Sequence, residues 1–328
     1  MNVAIVGTGT MGRQYAESLS RIEGVRLAAV VGRTIESARR LAEPYGGRPF
    51  ASFEEMVRSG TRPDVVCVAL PIDLHQTFTI RAAEAGAHVV CEKPIAPSVS
   101  DAMRMIHACE RNGVRLFVGH VLRFFPEYAD VHHHVRAGTI GEVGVAHLKR
   151  YNLHPPSDSW FADDSKSGGV IFDLMIHDID FIRWTIGEVR SVFAFRQKAP
   201  GVQYASATFR FADGPIANVT AMWGYPGPFT TSYEFSGRKG VIRGGNQQSR
   251  SLIVQKSRTE PQEVEGVALP KSSSTKGPYD LQLEHFLDCI RSGREPIVTA
   301  YDAVKAVEIA AAANESARTG RPVRLPTV

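Results

Sequence analysis

Two ionisable residues, Asp173 and His177, have the spacing of an acid–base pair. They lie in the segment GGVIFDLMIHD, which runs from Gly168 to Asp178. On a helix, residues four apart share a face, and a carboxylate that orients an imidazole is a common arrangement for a general acid or base near neutral pH. The same spacing is typical of a helix cap beside a core histidine. A metal site that adds Asp180 is a third interpretation, but no compact His/Cys cluster accompanies it, and we predict no metal.

Lys93 is the third candidate for catalysis. It lies in Glu92-Lys93-Pro94, directly after the apolar run His88–Cys91. A lysine held between a buried strand and a rigid proline can hydrogen-bond a substrate oxygen and stabilise the negative charge that develops as a hydroxyl is deprotonated. The alternative is a solvated lysine at the end of a strand.

A glycine-rich turn near the start of the chain predicts a phosphate site. The sequence Gly7-Thr8-Gly9-Thr10-Met11-Gly12 is a GxGxxG that follows a predicted strand and opens a predicted helix. In that context the glycines allow a tight turn, close approach of the backbone to a pyrophosphate and packing of helix against strand. The helix N-terminus at Thr10 and Met11 supplies amide donors for an anion. Residues 2 to 34 therefore indicate a dinucleotide-binding βαβ unit.

The end of the second predicted strand favours one cofactor. A carboxylate is expected there for the ribose of NAD, but the chain has Gly32-Arg33-Thr34. Gly32 removes a group that would repel a 2′-phosphate, Arg33 can pair with phosphate, and Thr34 can donate a hydroxyl. Arg39 on the following helix is a further candidate, so we predict NADP(H) in preference to NAD(H). Alternatively, Arg33 is a solvated surface residue and Glu36 binds the ribose.

The pattern of elements divides the chain in two. Up to residue 122, short β-branched runs alternate with amphipathic helical patterns, which is typical of a doubly wound parallel sheet. From residue 123 to 328, alternating aromatic and β-branched runs surround one long helical stretch, roughly Ile171 to Ile186, and indicate an α+β domain with an open, mostly antiparallel sheet. We assign dinucleotide binding to residues 1–122, and substrate binding and oligomerisation to 123–328. Lys271–Pro278 is predicted to be a polar loop, and Thr299 with Asp302 a capping box.

Composition excludes several classes of protein. The formal charge is +4 and the basic residues are scattered, whereas nucleic-acid binders concentrate them. No apolar run approaches the ~18 residues of a transmembrane helix, and no signal-peptide pattern opens the chain. The four cysteines form no CxxC pair, which is typical of a reducing compartment. We therefore expect a cytoplasmic protein with a small-molecule partner and no nucleic-acid or membrane partner.

The order of these motifs, together with TGRPV near the C-terminal end, resembles the Gfo/Idh/MocA oxidoreductases, the glucose–fructose oxidoreductase and inositol dehydrogenase relatives. The resemblance implies a Rossmann domain followed by an α+β domain whose open sheet often forms the subunit interface, hence a homodimer or homotetramer. It also implies that Lys93, Asp173 and His177 form a catalytic trio. The reaction implied is hydride transfer between nicotinamide C4 and a carbinol carbon of a sugar or cyclitol, with His177 as the proton carrier.

Further site residues follow from the same resemblance. The family's Thr-Pro-Asn-x-x-His loop is here Leu70-Pro71-Ile72-Asp73-Leu74-His75, so the expected cofactor contacts are mainly backbone and apolar. We place Leu70, Pro71, Leu74, His75, Glu92, Lys93 and Arg123 among the cofactor-binding residues. Candidates for substrate contact are Lys149, Asn152, His154 and Trp160, although Trp160 is equally suited to packing under a loop.

Two alternative functions stay open at the level of sequence. One is a regulator that senses NADP without catalysis, and it has no need of a proton carrier. The other is a glycosidase that oxidises and re-reduces a sugar carbon with tightly held NAD and causes no net change in cofactor absorbance.

Overall fold

The computed structural model describes residues 1–156, 159–246, 252–256, 267–268 and 276–326. The chain divides into two compact units. The first comprises Met1–Phe124 and Thr275–Lys305, and the second Phe125–Ser274 and Ala306–Val328. The sequence placed a single boundary after residue 122. The return of a C-terminal segment to the first unit was not expected.

The first unit is built on six parallel strands. Their spatial order is β3-β2-β1-β4-β5-β6, the doubly wound arrangement, which confirms the predicted Rossmann architecture. The strands are β1 Asn2–Val6, β2 Arg26–Val31, β3 Arg48–Phe50, β4 Val65–Val68, β5 His88–Cys91 and β6 Leu116–Val118. The intervening helices are α1 Thr10–Ser20, α2 Ile35–Ala42, α3 Phe53–Arg58, α4 Ile72–Glu84 and α5 Val99–Arg111. The carboxyl ends of all six strands lie at one edge, where ligands of such sheets bind.

The second unit is built on a nine-stranded sheet that is antiparallel except where β7 and β10 run parallel. The predicted open, mostly antiparallel sheet is thereby confirmed. Its strands are β7 Val143–Asn152, β8 Val189–Ala199, β9 Val202–Phe211, β10 Ile216–Trp223, β11 Thr230–Gly237, β12 Gly240–Gly245, β13 Leu252–Lys256, β14 Val267–Ala268 and β15 Val323–Arg324. The spatial order is β14-β13-β12-β11-β7-β10-β9-β8-β15.

The helices α6 Pro126–Arg136, α7 Asp164–Ser167 and α8 Ile176–Ile186 belong to the second unit. The single helix predicted from Ile171 to Ile186 has a π turn at Ile171–Met175 as its first part. On β7 the side chains of Leu148 and Arg150 are buried on the face that α8 covers, whereas His147 and Lys149 lie on the other face. We call this second surface the outer face.

The last two helices are α9 Pro278–Ser292 and α10 Ala300–Thr319. In the first unit, Leu283 and Phe286 of α9 join the core, and Phe286 stacks on Phe117 with ring centroids 4.9 Å apart. This burial explains why the segment returns to the first unit. Of the loop predicted at 271–278, residues 271–275 lie outside the described part of the chain, and Pro278 begins α9. The Thr299–Asp302 capping box is confirmed, since each backbone N–H donates to the other side chain at 3.0 Å.

Within the described residues, no helix has the length and apolarity needed to cross a membrane.

Candidate active site

The glycine-rich turn has room only for glycine at two of its three glycine positions. Gly7 has a φ of +113°, and a Cβ there would lie 2.1 Å from the carbonyl oxygen of Ala69. A Cβ on Gly12 would lie 2.1 Å from the carbonyl oxygen of Gly7. Gly9 is the N-cap of α1, and a Cβ on it would have no atom of the described residues within 4 Å, so its side of the turn is open space. A tight turn with an open approach to the α1 amides fits a dinucleotide pyrophosphate.

Sequence reasoning missed Arg13, which lies over this turn. Its guanidinium donates to the carbonyl oxygen of Thr8 at 3.4 Å and to Thr10 Oγ1 at 3.5 Å. A cation directly after the third glycine is a signal that could have been used, because it brings positive charge to the predicted phosphate site.

Directly after β2, Gly32 is closely packed and the next residue, Arg33, is exposed. A Cβ on Gly32 would lie 2.6 Å from Ser37 Oγ and 2.9 Å from the amide nitrogen of Ala38, so a carboxylate cannot be placed there without moving α2. Arg33 is exposed, and among the described residues it has no hydrogen-bond or ion-pair partner. Thr34 caps α2, because its Oγ1 accepts the N–H of Ser37 at 3.2 Å.

Arg39 and Glu36 complete this surface on α2. Arg39 Nε lies 3.8 Å from Oε1 of Glu43, the C-cap residue of the helix. Glu36 is exposed in the first turn and, like Arg33, has no partner within the described residues. Both candidates for the ribose end of a cofactor, Arg33 and Glu36, are therefore accessible.

The loop after β4 contacts the glycine turn through an apolar side chain and is tied down by a histidine. Leu70 lies next to the turn, since a Cβ on Gly7 would be 3.3 Å from Leu70 Cδ2. Pro71 is the N-cap residue of α4, and the side chain of Leu74 is exposed. His75 is buried, and its Nδ1 and Nε2 each lie 2.8 Å from a backbone carbonyl oxygen, of Pro94 and Leu70 respectively. Since both ring nitrogens face the backbone, His75 fixes the loop to the Lys93-Pro94 segment.

Lys93 is the one partly exposed residue in a buried stretch. From Val89 to Ala96 all residues except Lys93 are buried. Glu92, which we predicted to contact the cofactor, is turned into the protein: one carboxylate oxygen accepts the hydroxyl of Tyr15 at 2.5 Å and the other the backbone N–H of Lys93 at 3.1 Å. The lysine ammonium is thus carried by a fixed segment at the carboxyl end of β5.

Asp173 and His177 show the same selective exposure in the second unit. From Val170 to Ile182 they are the two residues that are not buried. Asp173 lies in the π turn and His177 in the first turn of α8. Both side chains therefore share one accessible stripe, and π turns inside α-helices are frequent at functional sites. Asp180, the added member of the alternative metal site, is buried.

Within the described residues, no group of three or more His, Cys, Asp or Glu side chains is placed to hold a metal ion.

Two further contacts hold the Asp173–His177 segment in the second unit. Arg150 on β7 makes a buried ion pair with Asp178. The buried amide of Gln203 accepts the N–H of Val170 at 3.4 Å and donates to Asp164 at 2.8 Å. The two ends of the segment are therefore tied to the sheet, a support that sequence reasoning did not identify.

The side chain of Arg123 is held by contacts inside the first unit. Its side chain is buried, and Nη1 donates to the carbonyl oxygen of Ile297 at 2.6 Å and lies 3.3 Å from Asp302 Oδ2. These contacts connect the 3₁₀ turn at Val121–Phe124 to the start of α10.

The candidates for substrate contact do not all lie on the side of the sheet that carries the Asp173–His177 segment. Lys149 lies on the outer face, with its ammonium 5.3 Å from the ring centroid of Tyr151, whereas Asp178, next to His177, packs on the opposite face of the sheet. Asn152 accepts the N–H of Leu153 at 2.9 Å, and His154 Nδ1 lies 2.7 Å from the carbonyl oxygen of Pro155. Trp160 stacks on Phe161 with centroids 3.9 Å apart. Of this group, Lys149 is separated from the Asp173–His177 stripe by the sheet.

Comparison with known proteins assigns the family. Residues 1–120 match the model of an oxidoreductase family with an NAD-binding Rossmann fold, and residues 133–325 match the C-terminal alpha/beta domain of the same family. The chain belongs to the Gfo/Idh/MocA oxidoreductase family. The resemblance inferred from the sequence motifs is thereby confirmed.

Two relatives of named activity are similar over nearly their full length. The scyllo-inositol 2-dehydrogenase (NAD(+)) of Bacillus subtilis is 29% identical, with 98% of this chain and 95% of the relative covered. The myo-inositol 2-dehydrogenase of Thermotoga maritima is 28% identical, with 100% and 99% covered. Among solved structures, the aldose–aldose oxidoreductase of Caulobacter crescentus, complexed with glycerol, has a TM-score of 0.87 at 28% identity, covering 99% of both chains.

Proposed function

We propose that this Gfo/Idh/MocA protein transfers a hydride between nicotinamide C4 and a carbinol or carbonyl carbon of a sugar, cyclitol or related polyol. The observation that carries the proposal is the selective exposure of Lys93, Asp173 and His177, each within an otherwise buried stretch. Ionisable side chains held accessible by a rigid surround are typical of catalytic groups. The names of the inositol dehydrogenases and of the aldose–aldose oxidoreductase support the class of substrate.

The three side chains have complementary roles in this reaction. Lys93 donates a hydrogen bond to the substrate oxygen and stabilises its negative charge as the proton leaves. His177 accepts that proton during oxidation and returns it during reduction, while Asp173 orients the imidazole. When bound, the nicotinamide supplies the hydride acceptor or donor.

NADP(H) is the preferred cofactor in this proposal. Gly32 leaves no room for the carboxylate that would bind the ribose of NAD, and the Arg33 guanidinium beside it has no partner among the described residues. The name of the Bacillus subtilis relative specifies NAD(+), so the ratio of the two cofactors is the measurement that tests this part.

We propose further that the protein is a homodimer or homotetramer formed through the outer face. Alternate side chains of the central strands, among them Lys149, Tyr151 and Ser232, lie on this face with no helix over them in the described second unit. Light scattering should give a mass of at least two chains. Ser232→Arg, which adds a bulky charge to the face, should lower it, and an unchanged mass would contradict the proposed interface.

The central experiment is a panel assay that follows cofactor absorbance. The purified protein is mixed with NADP+ or NAD+ and with myo-inositol, scyllo-inositol, common aldoses or nucleotide sugars. We expect net reduction with at least one substrate and a higher kcat/KM for NADP+. Lys93→Met and His177→Ala should each abolish turnover and still bind NADPH, whereas Lys239→Met and His133→Ala, two exposed positions of the second unit, should keep wild-type rates.

Three other results of this assay would contradict parts of the proposal. Near wild-type rates in both Lys93→Met and His177→Ala would show that the catalytic roles are wrong. Cofactor binding without turnover on any substrate would indicate a regulator. Release of a sugar from a glycoside without net absorbance change would indicate the glycosidase cycle.

A further inference from the structure

Tyr15 links the phosphate-binding helix to the segment that carries Lys93. Helix α1 begins at the glycine turn, and Tyr15 lies in its second turn with 0% of its surface exposed. Its hydroxyl donates to Glu92 Oε1 at 2.5 Å, and Glu92 Oε2 accepts the backbone N–H of Lys93 at 3.1 Å. One carboxylate therefore joins a side chain of α1 to the main chain of Lys93.

The surroundings of this bridge are buried and closely packed. Glu92 is 7% exposed, and a Cβ on Gly119 would lie 3.1 Å from the Tyr15 hydroxyl and 3.5 Å from each carboxylate oxygen. A buried carboxylate depends on the donors that surround it, because their loss leaves a desolvated charge. Burial, and next the charge of Glu92, raise the pKa of Tyr15 well above its usual value, so its hydroxyl keeps the proton that it donates.

We propose that Tyr15 is a positioning residue for Lys93, acting through the Glu92 carboxylate. This inference rests on the catalytic role that the proposed function gives to Lys93. Through the bridge, the helix whose N-terminus meets the cofactor pyrophosphate also fixes the backbone from which the lysine ammonium projects. Small displacements of a catalytic group have large effects on rate, so the hydroxyl should matter for turnover more than for binding.

The test compares Tyr15→Phe with Tyr45→Phe. Tyr45 packs against the same core, and within the described residues its hydroxyl makes no hydrogen bond. With the most active panel substrate, Tyr15→Phe should lower kcat by about tenfold or more, while KM and the Kd of NADPH stay within about twofold of wild type. Hydrogen exchange of peptides spanning residues 89–96 should quicken at the Lys93 amide in Tyr15→Phe and not in Tyr45→Phe.

A kcat for Tyr15→Phe within about twofold of wild type would overturn the inference. So would an equal loss in Tyr45→Phe, or a parallel loss of NADPH affinity, because either indicates general destabilisation. If Tyr15→Phe does not fold, the inference is tested by comparing Glu92→Gln with Glu92→Leu. Glu92→Gln retains an acceptor oxygen for the Tyr15 hydroxyl and should have the higher kcat. Equal kcat values for the two variants would overturn the inference. Full activity of Lys93→Met would refute the catalytic role that the proposed function gives to Lys93, whereas an inactive Lys93→Met beside a fully active Tyr15→Phe refutes the role of Tyr15 alone.

Discussion

Arg150 and Asp178 form a two-point ion pair in the interior of the second unit. Arg150 Nε donates to Asp178 Oδ2 at 2.8 Å and Nη2 to Oδ1 at 2.9 Å, and both side chains are almost fully buried. Arg150 Nη2 also donates to the hydroxyl of Tyr128 at 3.3 Å. Because Asp178 directly follows His177, this pair fastens the first turn of α8 to β7 and sets the direction of the proposed proton carrier.

Removal of the arginine should therefore cost both stability and turnover. Arg150→Met leaves the Asp178 carboxylate buried and uncompensated, and we expect the free energy of unfolding to fall by about 3–5 kcal/mol. Urea denaturation followed by circular dichroism measures this loss. Arg238→Met, which breaks an exposed pair with Glu142, should leave the free energy nearly unchanged. A loss of under about 1 kcal/mol in Arg150→Met would mean that water reaches Asp178 after the substitution.

His75 should make stability depend on pH. Burial lowers the pKa of His75, although carbonyl oxygens of Leu70, Pro94 and Ile95 act in the opposite direction. A neutral histidine in the folded state resists the proton that the unfolded chain accepts, so its contribution is complete above the unfolded pKa of about 6.5 and declines as the pH falls below it. The difference in thermal midpoint between wild type and His75→Gln should shrink from about pH 7.5 to about pH 5.5. A constant difference would contradict a buried neutral imidazole.

Local patterns were sufficient to predict the elements that carry the site. The parallel strands and the glycine turn are encoded by short contiguous runs, since a buried parallel strand is apolar throughout and a tight turn requires glycine. The return of α9 to the first unit could not be predicted in this way. It depends on the packing of Phe286 against Phe117, a contact between segments far apart in the chain.

The candidate site was predictable to a similar extent. The spacing of Asp173 and His177 predicted a shared face, and the structure exposes both on one stripe. The contacts that hold the site were not predictable, because Tyr15 and Glu92 lie 77 positions apart and no local rule pairs them. The family resemblance placed Glu92 at the cofactor, whereas its two oxygens are engaged inside the protein.

Substitution of two glycines of the turn should have different effects, one on stability and the other on cofactor binding. Gly12→Ala places a Cβ against the carbonyl of Gly7, so we expect a large loss of stability. Gly9→Ala meets no atom of the described residues and should fold as wild type, but its methyl group enters the space proposed for the pyrophosphate. The expected result is an unchanged thermal midpoint with NADPH affinity lowered by about tenfold or more. Unchanged affinity in Gly9→Ala would place the pyrophosphate elsewhere.

Arg33 provides the sharpest test of cofactor choice. Its guanidinium is exposed and unpartnered within the described chain, directly after a glycine that has no room for a side chain. If it binds the 2′-phosphate, Arg33→Ala removes a charge-assisted hydrogen bond that NADPH makes and NADH cannot make. We expect the Kd of NADPH to rise by about 10- to 100-fold and that of NADH to change little. Arg40→Ala, an exposed arginine on α2 that also has no partner among the described residues, is the matched control and should leave both values unchanged. Equal losses for NADPH and NADH in Arg33→Ala would assign Arg33 to the adenine or the pyrophosphate, and would leave Glu36 as the residue that binds the ribose.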